Sequence, residues 1–109
     1  MPFSIRPFRR FPVWCRVTYH VGDFEGHGTV WNLSRTGWRF SGSLPLRVGA
    51  VCSLTVTLPP YKLVYVIAAI VRWVRGEEYG VETLVMDEYS QDELEDYLDQ
   101  HVHNMKEPD

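Results

Sequence analysis

Apolar and polar residues alternate with a period of two through much of the chain, the pattern of strands that bury one face. Val13, Cys15, Val17 and Tyr19 share a face of a first strand over residues 13–20. Gly22 to Gly28, with Asp23 and Glu25 among glycines, reads as a hairpin-type connection. A second strand opens at Gly28-Thr29-Val30-Trp31, where β-branched and aromatic residues favour an extended backbone. It runs into Asn32, Ser34 and Gly37. Asn and Ser bond local backbone and Gly permits φ > 0, so a tight polar corner is predicted. A third strand leaves it from Trp38 to Ser41, and Gly42, Pro45 and Gly49 interrupt again. The fourth strand, Val51 to Leu58, turns Cys52, Leu54, Val56 and Leu58 to its apolar face, and Pro59-Pro60 ends it. The fifth spans Lys62 to Val74, Gly76 with Glu77 and Glu78 marks a turn, and the sixth runs from Tyr79 to Val85. Regularly spaced strands and turns predict an antiparallel barrel or sandwich.

The two ends break the alternation. Pro2, Pro7 and Pro12 keep residues 1–12 out of a helix, and predict an arginine-bearing arm pinned by Phe3, Phe8 and Phe11. The remainder, 13–109, forms the body. Near its end the period changes to 3.6: Leu94, Tyr97, Leu98, His101, Val102 and Met105 predict one amphipathic helix over about 90–105. Ser90-Gln91-Asp92-Glu93 has the spacing of a capping box, and Tyr89 and Leu94 that of a hydrophobic staple.

Charge sharpens this picture. The net charge of −3 divides into +5 over residues 1–50 and −8 over 51–109. All basic residues of the first half are arginines: Arg6, Arg9, Arg10, Arg16, Arg35, Arg39 and Arg47. Arginine presents a planar fork that grips phosphate or a guanine edge in two places and stacks on rings. An anionic, planar ligand at the corner is the reading, while the acidic half argues against long nucleic acid. Arg35 and Arg39 flank the corner and are lesser candidates for contact. Trp31, Trp38 and Trp73 read as core or rim residues.

Other chemistries find little support. Cys15 and Cys52 form neither a disulfide framework nor a Cys-x-x-Cys site, and read as reduced cytosolic thiols. The four histidines lack metal-ligand spacing with acidic or cysteine partners. No Ser–His–Asp arrangement or phosphate-binding loop stands out, so no catalytic residue or metal is expected. The longest apolar run, Leu63 to Val71, is too short to span a bilayer. With no apolar signal core at the N-terminus, the expected location is the cytoplasm.

Arg6-x-x-x-Arg10 followed by Asn32-x-Ser34-x-x-Gly37 resembles the two-part signature of PilZ domains. The resemblance extends over nearly the whole chain, and implies a six-stranded antiparallel β-barrel with a C-terminal α-helix that binds the bacterial second messenger cyclic di-GMP. On it, Arg6 and Arg10 would grip phosphate and the guanine edge. Asn32 would pair with guanine through its amide, Ser34 would bond the ligand or hold the turn, and Gly37 would let the backbone approach closely. Arg9-Arg10-Phe11-Pro12 also resembles the family string that usually continues to another arginine, where this chain has Val13. Arg9 is therefore the alternative first arginine, and the Arg6/Arg10 register satisfies the full pattern. The resemblance implies a receptor that signals by ordering its arm on ligand binding and engaging an unidentified downstream protein. It implies no cofactor besides the ligand, no catalysis and no membrane insertion. The rival reading is a PilZ-like adaptor that keeps the barrel, lacks the nucleotide and acts through protein–protein contact.

Overall fold

The structure, a computed structural model, describes residues 11–105. Among them are β1 (Phe11–Val21), β2 (Phe24–Leu33), β3 (Gly37–Gly42), β4 (Val51–Leu58), β5 (Lys62–Arg75), β6 (Glu78–Met86) and one helix, α1 (Glu88–Met105). Every pairing is antiparallel, and the order β1-β2-β3-β6-β5-β4 closes on itself because β1 also pairs with β4. The expected six-stranded barrel with a C-terminal helix is present. Alternation predicts the faces correctly. Val13, Cys15, Val17 and Tyr19 of β1 and Cys52, Leu54, Val56 and Leu58 of β4 all point into the core. Leu94, Tyr97 and Leu98 of α1 join the same core.

The predicted connection over Gly22–Gly28 is corrected. β2 starts at Phe24, and the chain turns at Gly22-Asp23, where Gly22 has φ of 59°. Gly26 and Gly28 lie inside the strand because other atoms occupy the space of their missing side chains. A Cβ at Gly26 would stand 2.5 Å from the Tyr19 ring, and one at Gly28 would strike the Ser41 carbonyl oxygen. Gly42 is likewise covered by the Tyr19 ring. Tyr19 stacks at an angle on Phe40, with ring centroids 4.9 Å apart. Its hydroxyl donates to the Leu44 carbonyl at 2.7 Å and accepts from the Leu44 N–H at 2.8 Å. A fully buried phenol thus ties the β3–β4 connection to the barrel wall.

The capping box is also corrected. α1 begins at Glu88, and Asp87 caps it, its Oδ2 accepting from the Ser90 N–H at 3.1 Å. Hydrogen bonds from the Ser90 backbone N–H and then its hydroxyl hold the Asp87 carboxyl below its ordinary pKa. Ser90 is buried, and its Oγ accepts from the Tyr65 N–H of β5 at 2.9 Å. That tertiary bond outweighs the local pattern. Tyr89 is 69% exposed and lies within the first turn of the helix, not ahead of its cap as the staple requires. Beside it, Lys62 Nζ donates to Glu93 Oε1 at 2.7 Å, clasping the helix to β5, and this hydrogen bond raises the lysine pKa.

Cys15 and Cys52 are both buried free thiols, and burial pushes each from 9.0 up to about 11. Thiolate is the nucleophile in disulfide exchange. The folded protein at pH 8 is therefore expected to be silent to Ellman's reagent, and the same protein in denaturant to titrate both thiols. Rapid labelling without denaturant would contradict this packing.

Candidate functional site

The corner between β2 and β3 consists of Ser34, Arg35 and Thr36. The Ser34 N–H donates to the Gly37 carbonyl at 2.8 Å, and the Thr36 N–H donates to Ser34 Oγ at 3.3 Å. Ser34 is 1% exposed, so its hydroxyl holds the turn. The Thr83 N–H donates to the Thr36 carbonyl at 2.9 Å, and the Trp38 indole N–H donates to Thr83 Oγ1 at 3.0 Å. These bonds fasten the corner to β6 on the outside and through the core. Gly37 does not use the positive φ that glycine permits: the left-handed glycines are Gly22, Gly49 and Gly76. Gly37 is the first residue of β3, buried, and paired with Glu82.

The β1–β2 register bears on the arginines. Phe11 pairs with Leu33, and Pro12 with Asn32, so β1 begins two residues earlier than alternation predicts, alongside the corner. Arg6, Arg9 and Arg10 lie outside the described residues. Register shifts on β1 between Pro12 and Cys15, and on β2 between Val30 and Asn32, set bulges beside the corner. Bulges re-aim side chains and are common beside functional sites. Trp31, in the β2 bulge, has a buried indole N–H without a hydrogen-bond partner among the described residues. Asn32 is half-buried and stands opposite Arg39 of β3.

A neighbouring feature was not anticipated. Arg39, Gly80 and Trp73 form one row across β3, β6 and β5. The indole of Trp73 lies over Gly80, where a Cβ would strike Trp73 Nε1. The Arg39 and Arg75 guanidinium carbons stand 6.0 Å and 5.5 Å from the indole centroid, within cation–π range. Arg72 Nε donates to Glu82 Oε1 at 2.7 Å on the same surface. Gly37, Arg39, Arg72, Trp73, Gly80 and Glu82 line a cleft of about 190 Å³. Arg39, a lesser candidate for contact on the sequence, is thus packed against a ring. The available signal was Gly80 inside a predicted strand, which marks close approach by another group. Arg35 turns away, its Nη2 standing 3.7 Å from Glu95 Oε1 of α1 across half-exposed surface.

The arrangement suits a flat, anionic ligand. An indole with arginines at its margins and a short polar turn beside it offers ring contact and paired donors. On the far hairpin the Glu25 carboxylate lies between His20 Nε2 at 3.0 Å and His27 Nε2 at 2.8 Å, an acidic partnership that chain spacing conceals. Among the described residues no group of His, Cys, Asp and Glu is arranged to hold a metal ion. No helix among them is long and apolar enough to cross a membrane.

Known proteins bear on this geometry. No curated protein is significantly similar to the chain. The fold matches the inhibitor of motility MotI/DgrA of Bacillus subtilis with a TM-score of 0.79 at 18% identity, over 95% of this chain and 54% of that one. The chain therefore spans about half the length of MotI/DgrA. It also matches the PilZ domain of CeSA from a cellulose-synthesizing bacterium, with a TM-score of 0.67 at 13% identity, over 87% of this chain and 99% of that one. The family model for the PilZ domain aligns with residues 4–100, which include both halves of the arginine and corner motif and all six strands. The chain belongs to the PilZ domain family.

Proposed function

We propose that this protein is a bacterial, cytoplasmic receptor for cyclic di-GMP. The observation that carries the reading is the β1–β2 register. Phe11 opposite Leu33 leaves Arg10 one residue upstream of a strand that begins at the corner. The start of β1 and the Asn32–Gly37 turn thus lie at one end of the barrel, and the arginines precede that start in the sequence. Arg6 and Arg10 grip phosphate and the guanine edge, Asn32 reads guanine, and Ser34 and Gly37 shape the turn that receives it. The Trp73 cleft, at about 190 Å³, has room for part of such a ligand, and Arg39 beside it favours an anion. Binding orders the arm against the corner, and a downstream protein reads the new surface. The protein acts as a receptor rather than a catalyst, with no cofactor besides this ligand.

Calorimetric titration of cyclic di-GMP, with GTP as control, tests this. Micromolar or tighter binding is expected. Arg10→Ala is expected to weaken it about ten- to a hundredfold, since a charge-assisted hydrogen bond contributes about 1.5–3 kcal/mol. Arg6→Ala should act alike, and an effect of Arg9→Ala instead would move the register to Arg9. Absence of heat at high protein concentration would favour the nucleotide-free adaptor.

A further inference from the structure

The two most exposed large aromatic side chains among the described residues, Trp14 at 77% and Tyr61 at 86%, line one cleft. It is an open cleft of about 520 Å³, with Cys15, Arg16, Thr57, Pro59 and Pro60 completing its lining. It opens on the outer face of β1 and β4, where Arg16 stands opposite Thr57. Along the adjoining β5, Leu63, Tyr65 and Ile67 also turn outward, between 44% and 62% exposed. The chain has 14 carboxylate side chains, yet none lies on β4, on β1 between Trp14 and His20, or on β5 between Lys62 and Ile67. Among the described residues Arg16 has no ion-pair partner.

Composition separates this patch from an ordinary surface. Trp, Tyr and Arg dominate the energetic centres of protein interfaces, whereas Lys, Glu and Asp are depleted there. A large exposed apolar patch on a soluble domain marks an interaction site. A nucleic-acid strand requires a succession of cations along its phosphates, and among the described residues the cleft offers Arg16 alone. We propose that the cleft docks a segment of a partner protein, which inserts an apolar side chain between Trp14 and Tyr61 and sets a carboxylate against Arg16. The cleft shares no residue with the β2–β3 corner, so the proposal stands independently of nucleotide binding.

A library of random dodecapeptides displayed on phage, panned against the full chain, supplies a defined probe. The enriched peptides are expected to combine an aromatic or aliphatic residue with Asp or Glu. As synthetic peptides they should lose at least tenfold in affinity on Trp14→Ser and on Tyr61→Ser. Both positions are solvent-exposed, and unchanged melting temperatures would verify folding. Panning against Arg16→Glu should enrich Lys and Arg in place of the acids, a reversal that loss of fold could not produce. Three results would overturn the proposal: no enrichment, peptides that bind Trp14→Ser and Tyr61→Ser undiminished, or preferential capture of oligonucleotides at the cleft. A wild-type chain that sediments as a dimer and becomes monomeric on Trp14→Ser would assign the cleft to a second copy instead, and would overturn it equally.

Discussion

Trp38→Ala is expected to cost about 3–5 kcal/mol of folding free energy, the usual loss when a large buried aromatic is truncated. Trp38 is fully buried and is the largest side chain to be so among the described residues. It pairs with Leu33 on one side and Val81 on the other, so its removal opens a cavity where β2, β3 and β6 meet. The indole N–H also leaves Thr83 Oγ1, which it reaches at 3.0 Å. Domains of this size hold about 5–15 kcal/mol in total, so the variant would keep only part of its stability. Urea unfolding followed by circular dichroism would measure this. Trp38→Phe should recover much of the loss, and if Trp38→Ala melts with the wild type, the core assignment is wrong.

Gly28→Ala should act through a different cause. Its Cβ would meet the Ser41 carbonyl oxygen, with Gly42 Cα 2.8 Å away, and all of these are backbone atoms of the paired strand. No rotamer relieves the clash, so the β2–β3 ladder has to part. Overpacking ordinarily costs about 1–3 kcal/mol and occasionally more; this position is expected at the upper end or beyond. Gly22→Ala is the control. A Cβ there would meet nothing within 4 Å, and only the φ of 59° opposes the change, at a cost of about 1–2 kcal/mol. Chemical denaturation of the two variants side by side would separate them, and equal losses would refute the clash.

These glycines show what the sequence reveals and what it hides. Period-two alternation made the strands legible, and β4 matches its predicted limits because one face is uniformly apolar and the prolines end it. The corner motif was legible because polar and glycine residues cluster within a few positions. Gly26 and Gly28 misled, since glycine marks either a turn or a close approach, and only tertiary contact with Tyr19 and Ser41 decides which. Ser90 misled for the same reason, its hydroxyl being claimed by a strand 25 residues earlier. The Trp73 cleft was illegible because Arg39, Gly80 and Trp73 meet only through strand pairing. Arg6, Arg9 and Arg10, the first half of the motif, fall outside the described residues.

The clasp between α1 and β5 has a consequence for self-association. β5 begins pairing with β6 only at Val66, so Lys62 to Tyr65 overhang the barrel with β4 on one side alone. An uncovered strand edge is a template for adding a foreign strand. Here the helix covers it: Ser90 Oγ takes the Tyr65 N–H that a neighbouring strand would otherwise use. Beyond filling out the core, α1 therefore guards this overhang against edge-to-edge aggregation.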